Sequence, residues 1–195
     1  VPPRGRPRKF DRDQALQQAL QIFWEKGFEA AQVGDLTAAM GINPPSFYAA
    51  FKSKEALFHE AFDLYLSTIG ARSITALDAT PDVRAAIHAM LAASADNALG
   101  APRAAGCLAA LGLVNSPHDH VLRQRMASER RAMIQRIHIR LEKGRSEGQL
   151  PPDADTSGLA VFYASVVLAL SLQAQDGADR PELMATIQGA MHALN

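Results

Sequence analysis

A glycine closely followed by two adjacent prolines, Gly41-Ile-Asn-Pro44-Pro45, lies within sequence whose apolar residues otherwise recur at helical spacing. Proline inside a helix removes a hydrogen bond and clashes with the preceding turn, at a cost of about 3 kcal/mol. At the first turn it does neither, because the N–H it lacks would be unbonded there anyway. The prolines therefore open a helix, and Gly41 ends the one before by supplying a left-handed residue. The reading is a short helix from about Gly34 to Met40, a tight turn, and a second short helix from Pro45 to Phe51. Helix, tight turn and helix make the geometry that sets a second helix into the DNA major groove with its N-terminal residues at the base edges.

Elsewhere the same signals predict only helices. No alternating run of β-branched residues is long enough for a sheet, so the fold class is all-α with about nine helices. Asp11 caps a first helix whose apolar positions Ala15, Leu16, Ala19, Leu20, Ile22 and Phe23 run to Gly27, and Ser53 caps a longer fourth one carrying Leu57, Phe58, Phe62, Tyr65, Leu66 and Ile69. Beyond it, Pro81-Asp82 opens a helix to Leu99, a short one spans Arg103 to Leu113, and Asp119 caps a long one to Gly144 or Gly148. Pro151-Pro152 stops the chain before helices Asp153 to Gln175 and Pro181 to Leu194. The organisation is a basic arm over 1–9, a helix-turn-helix domain over 10–66 and a larger helical domain over 67–195, the last boundary falling inside the fourth helix.

At 195 residues, about half of them apolar, the chain can bury one large core or one core and a small module. Twenty basic and twenty acidic residues cancel, so total charge argues for no partner. Distribution does: Arg4, Arg6, Arg8 and Lys9 precede every acidic residue, and Arg-Gly-Arg-Pro is the composition of segments that lie extended in the minor groove of A·T-rich DNA. One cysteine, Cys107, excludes an intrachain disulfide and suits a reducing compartment. The longest apolar run, Gly158 to Leu172, is interrupted by Ser165 and Ser171 and is short for a membrane span, and no leader is read; the expectation is a cytoplasmic protein with no membrane.

At the leading end of the second short helix, Asn43 and Ser46 can bond base edges and Pro44 and Pro45 can touch a thymine methyl. Tyr48 and Lys54 are placed to meet phosphates. Phe47 and Phe51 turn inward with Leu36, Met40 and Leu57. The order Leu36-Thr-Ala-Ala-Met-Gly41-Ile-x-x-x-Ser-Phe-Tyr48-x-x-Phe51-x-Ser-Lys54-Glu55-x-Leu57 resembles the DNA-binding domain of the TetR family of transcriptional repressors, over about residues 10 to 60. The resemblance implies a homodimer bound to a palindromic, inverted-repeat operator on double-stranded DNA and released by a small molecule, with no cofactor. Where that family usually carries Ser or Thr to cap the second helix, this chain has Gln32, with Gly34 after it, so the third helix and the arm are expected to carry more of the base reading.

For the effector, a lining of Phe62, Tyr65, Leu66, Met90, Leu91, Cys107, Leu111, Met126 and Phe162 or Tyr163 is expected, a set that a core explains equally well. Such a pocket prefers a neutral or aromatic molecule. Leu159, Phe162, Val166, Leu170, Met184, Ile187 and Met191 make the last two long helices apolar over much of their circumference, the pattern of helices that face a core and a second subunit. Cys107 after Gly106 at a helix start favours a thiolate, and Gly-Cys-Leu is similar to a branch of the family that includes electrophile and oxidant sensors, so a thiol-sensing repressor is the alternative. A buried structural cysteine is the other reading. His118-Asp119-His120 does not make a metal site by itself, and the basic residues from Arg123 to Arg145 read as a solvated face. A Cys/His enzyme would need a base and an oxyanion site, neither present at motif strength. A helical adaptor without DNA affinity leaves Tyr48, Lys54 and the arm unexplained.

Overall fold

The computed structural model describes residues 11–100, 106–111 and 120–194. Among these, ten α-helices and one 3-10 helix occur and no strand. They divide into two compact units, one ending at Leu64 and one beginning at Tyr65. The arm residues Arg4, Arg6, Arg8 and Lys9, together with His118 and Asp119, lie outside the described residues.

The first unit contains α1 (Arg12–Ala30), α2 (Val33–Met40), α3 (Pro44–Phe51) and most of α4 (Lys54–Ser67). Asp11 caps α1, its Oδ1 accepting from the Asp13 and Gln14 N–H groups. Gly27 does not end α1; it kinks it at φ 74, ψ 169, and one more turn follows to Ala30. The core is aromatic. Phe23, Phe47, Phe51, Phe58 and Phe62 are buried, and the Phe23 and Phe28 rings both meet Phe58 edge-on, at centroid distances of 5.0 and 5.2 Å. Five large rings fill a small unit with few residues, each contributing a large apolar area.

The second unit contains the end of α4, then α5 (Ala71–Asp78), α6 (Val83–Leu99), α7 (Leu108–Leu111), α8 (Val121–Ser146), α9 (Thr156–Gln175) and α10 (Arg180–Ala190), closed by the 3-10 turn Met191–Leu194. Helix α6 is its centre, packed by α5, α9 and α10, while α8 lies on α9. Nine residues of α6 are buried, including Ile87, Met90 and Leu91, which explains its even distribution of apolar residues. α8 approaches α6 closely at Gly144, where a Cβ would stand 2.7 Å from that of Val83. Asp82, Asp155 and Asp179 cap α6, α9 and α10 through their carboxylates. α5 is an addition to the sequence expectation, which follows the fourth helix to Ile69 and places no element before Pro81; the chain turns at Thr68 to Gly70 and α5 begins at Ala71. α9 is long and apolar enough to span a bilayer by length and composition, yet eight of its residues are buried in this unit's core.

Candidate nucleic-acid interface and internal cavity

In the first unit, Gly41 adopts φ 65, ψ 31 and its N–H bonds the Ala38 carbonyl, while the Ile42 N–H reaches Thr37 O at 3.1 Å. This closes α2 and turns the chain within three residues, so that α3 begins at Pro44. The Asn43 Oδ1 accepts from the Ser46 N–H at 2.9 Å, capping α3. Its carboxamide oxygen is thereby committed, leaving the NH2 group as the part of Asn43 that can meet another molecule. Asn43, Pro44, Pro45, Ser46, Tyr48 and Ala49 are all exposed, whereas Phe47 and Phe51 on the opposite side are buried. Tyr48 is 51% exposed, with its ring braced edge-on against Phe47 at 5.2 Å.

Lys54 departs from the expected picture. Its Nζ donates to the carbonyls of Phe28 at 2.9 Å and Ala31 at 3.1 Å, and lies 4.4 Å from the Phe28 ring centroid. Two of its three donors are used to hold the turn between α1 and α2, so one remains for a phosphate. The cation that the sequence reading passed over is Lys52, exposed at the end of α3 with φ 67, the one non-glycine residue of positive φ among those described. Its signal was present in Phe51-Lys52-Ser53-Lys54. At the start of α2, Gln32 is exposed, and its N–H donates to the Asp35 carboxylate at 3.1 Å. A Lys26 ion pair at 2.8 Å is the main cause, and the Gln32 N–H the second, that hold the Asp35 carboxyl below its ordinary pKa.

The second unit holds a partly open cavity of about 370 Å³. Of the expected lining, it includes Tyr65, Leu66 and Cys107. Phe62 instead belongs to the aromatic core of the first unit, stacked on Phe58 at 6.1 Å, and Met90, Leu91 and Met126 are fully buried away from the lining. Tyr163 is buried with its hydroxyl donating to Ala190 O at 3.2 Å, and burial pushes its phenol up to about 12. Phe162 lies exposed beside Leu159 and Leu194 in a separate shallow depression, and the side chain of Leu111 is outside what is described. The residues that sequence reading missed are Ile74 on α5, Asn97 on α6, Arg130, Met133 and Ile134 on α8, and Val161 and Leu168 on α9. They were hidden because a helix buried on most sides carries no label for which apolar stripe faces a void.

The cavity lining is not purely apolar. The Tyr65 hydroxyl lies 2.9 Å from Cys107 Sγ, and burial, reinforced by Cys107, pushes the Tyr65 phenol well above its ordinary range. Arg130 donates from Nη1 to Ala109 O at 2.8 Å, and burial followed by the neighbouring Arg123 and Arg131 lowers its pKa. Asn97 donates to Ile69 O at 2.9 Å. Glu129 and Arg136 also reach the lining, so it is more charged than the sequence suggested. Cys107 is half-buried and lines this space, in contrast to a cysteine sealed beneath Tyr65, and among the described residues the helix after it is Leu108–Leu111.

The proposed subunit contact needs the same correction. Val166, Leu170, Ile187 and Met191 are buried in the core of their own unit, and Leu159 and Met184 pack against it. The exposed apolar residues of α9 are Val161, Phe162, Leu168 and Leu172; Val161, Leu168 and Leu172 align on one face, where Val161 and Leu168 also border the cavity, and Phe162 stands about a quarter-turn away.

A chain made of a helix-turn-helix unit and a second helical unit that holds a cavity has the organisation of a helix-turn-helix transcriptional regulator. Residues 15–61 match the family described as bacterial regulatory proteins, tetR family. The HTH-type transcriptional repressor ComR of Escherichia coli is 32% identical over 187 residues, 93% of this chain and 87% of that protein. The HTH-type transcriptional regulator YezE of Bacillus subtilis is 28% identical over 98% of this chain and all of its own length. Among solved structures, the TetR family transcriptional regulator CifR, in a cysteine-substituted form complexed with 26-bp double-strand operator DNA, superposes with a TM-score of 0.90 at 39% identity, covering 98% of this chain and 100% of that one. The chain belongs to the TetR family of transcriptional regulators.

Proposed function

We propose that this regulator is a homodimeric repressor, acting in the cytoplasm, that binds an inverted-repeat operator and leaves it when a small apolar or aromatic molecule enters the cavity. The observation that carries the reading is the likeness, over 98% of the chain, to a regulator solved on operator DNA. The exposed tip of α3 supports it. Asn43 and Ser46 bring donors and acceptors, and the prolines bring apolar surface, to the end of a helix sized for the major groove. Tyr48, Lys52 and the remaining donor of Lys54 neutralise phosphates, and the arm residues Arg4, Arg6, Arg8 and Lys9 follow the minor groove. The subunit contact is the Val161, Leu168 and Leu172 face of α9 with the neighbouring Phe162, because apolar residues left in water are those a second copy can cover. Fluorescence anisotropy with DNA fragments retained by the purified protein tests the whole reading. A single inverted repeat bound as a dimer is expected, with Ser46→Ala altering sequence preference by about 1–3 kcal/mol; equal affinity for every fragment would overturn operator recognition.

A second reading has one specific observation in its favour. Cys107 opens onto the cavity with its Sγ on the Tyr65 hydroxyl and within electrostatic reach of Arg130. A thiol so placed can, as its thiolate, attack an electrophile that fits the cavity. Native protein alkylated at Cys107 should then release operator DNA, and Cys107→Ser should bind operator while ignoring the reagent. Alkylation that leaves operator affinity unchanged would reduce Cys107 to a wall of the cavity.

A further inference from the structure

Helix α8 carries Arg136, Arg140 and Lys143 on one face, at the spacing that brings side chains on successive turns together. They border a depression of about 340 Å³ at the turn between α5 and α6. Arg140 is only 7% exposed. Its Nη2 donates to the carbonyls of Thr80 at 3.0 Å and Pro81 at 2.6 Å, while its Nη1 is buried with no partner. The Thr80 Oγ1, on the same lining, is likewise buried and unpartnered. No carboxylate forms an ion pair with Arg140 among the described residues; Asp78, on the lining, is its one acidic member.

This arrangement is costly as it stands. A guanidinium stays charged at any accessible pH, and burying one without a counter-charge leaves it short of the solvation it had in water. Two neighbouring cations on the same helix face add repulsion. The Lys143 ammonium also has the Glu147 carboxylate 3.9 Å away, so three cations against Asp78 and Glu147 still leave an excess of positive charge for an anion, and two guanidiniums, an ammonium and a hydroxyl supply the donors that three phosphate oxygens accept. We propose that Thr80, Arg136, Arg140 and Lys143 form a binding site for a phosphate group, supplied as the free ion or as a small phosphate ester. Ile139, 59% exposed beside it, offers apolar contact to the organic part of an ester. The site is separate in chemistry from the apolar cavity, sharing only Arg136 with its lining.

Thermal unfolding of the full chain at about pH 8, where a phosphate monoester is a dianion, compares sodium phosphate and glycerol phosphate with sodium chloride at equal ionic strength. At about tenfold above the dissociation constant, the phosphate compounds should raise the midpoint by about 3 °C over chloride. A rise with both identifies the phosphate group alone as the ligand, and a rise with the ester alone adds a requirement for its organic part; either supports the site. The double variant Arg136→Gln, Lys143→Gln changes two exposed residues, so it should keep the chloride midpoint and lose the rise. Tyr48→Phe with Lys52→Gln, on the helix-turn-helix, should retain it. No rise with either compound, or the same rise in the double variant, would overturn the site.

Discussion

Lys54 shows how one side chain can serve the fold at a place chosen for its charge. Its ammonium bonds the two carbonyls that bound the α1–α2 turn, so Lys54→Ala should cost stability as well as DNA affinity, by about 1–3 kcal/mol in chemical denaturation. An unchanged unfolding midpoint would assign the ammonium to solvent. With two donors engaged, the variant's salt slope for DNA binding should shallow by less than that of Lys52→Ala, which should approach about one. Cys107 was legible as a residue of interest from Gly-Cys-Leu, but its place was not. Only the packing of α7 beside Tyr65 shows that the sulfur faces a void and bonds a phenol. A non-covalent ligand filling that cavity should slow alkylation of Cys107 by a small electrophile, read by mass spectrometry; an unaltered rate at saturating ligand would place the ligand elsewhere.

At the scale of the element, α9 carries the clearest correction. Its composition announces a helix apolar nearly all round, and composition cannot say which residues face its own core. Val166 and Leu170 are core residues, whereas Leu172 is 51% exposed and Val161 52%. Leu172→Glu should therefore give folded monomers by light scattering and circular dichroism, because a carboxylate in an apolar contact between copies is left unpaired. Leu170→Glu should unfold the second unit instead. Folded dimers of Leu172→Glu would move the contact off this face. The α8–α6 approach is equally tertiary: Gly144→Ala would set a methyl 2.7 Å from the Val83 Cβ, and should destabilise by about 1–3 kcal/mol in urea. A neutral result would mean that the two helices can part without cost.

At the scale of the molecule, two carboxylates link stability to acid. Lys26 and the Gln32 N–H hold Asp35 low, and a hydrogen bond from the Thr156 hydroxyl, with Arg145 and His138 beside it, holds Glu142 low. Both folded pKa values lie below the unfolded ones, so their contribution is full above about pH 4–5 and is lost as pH falls through the folded values. Asp35→Asn and Glu142→Gln should each flatten the fall of the melting temperature with acid; a fall as steep as in the parent would remove that carboxylate from the linkage.

The helix-turn-helix was written in local chemistry: a glycine that can turn left-handed, an asparagine that caps, and prolines that fit only a first turn. These preferences act within a few residues, so Gly41 to Phe51 marked the end of one short helix, the turn and the start and course of the next without help from the rest of the chain. Local signals also marked most helix starts, through Asp11, Asp82 and the prolines. What they could not carry was which face of each long helix meets which neighbour. The cavity, the core position of Val166 and Leu170, the clamp made by Lys54 and the unpaired guanidinium of Arg140 were decided only by tertiary packing. Burial depends on residues far apart in sequence, and an apolar side chain has the same affinity for a core, a ligand or a second subunit.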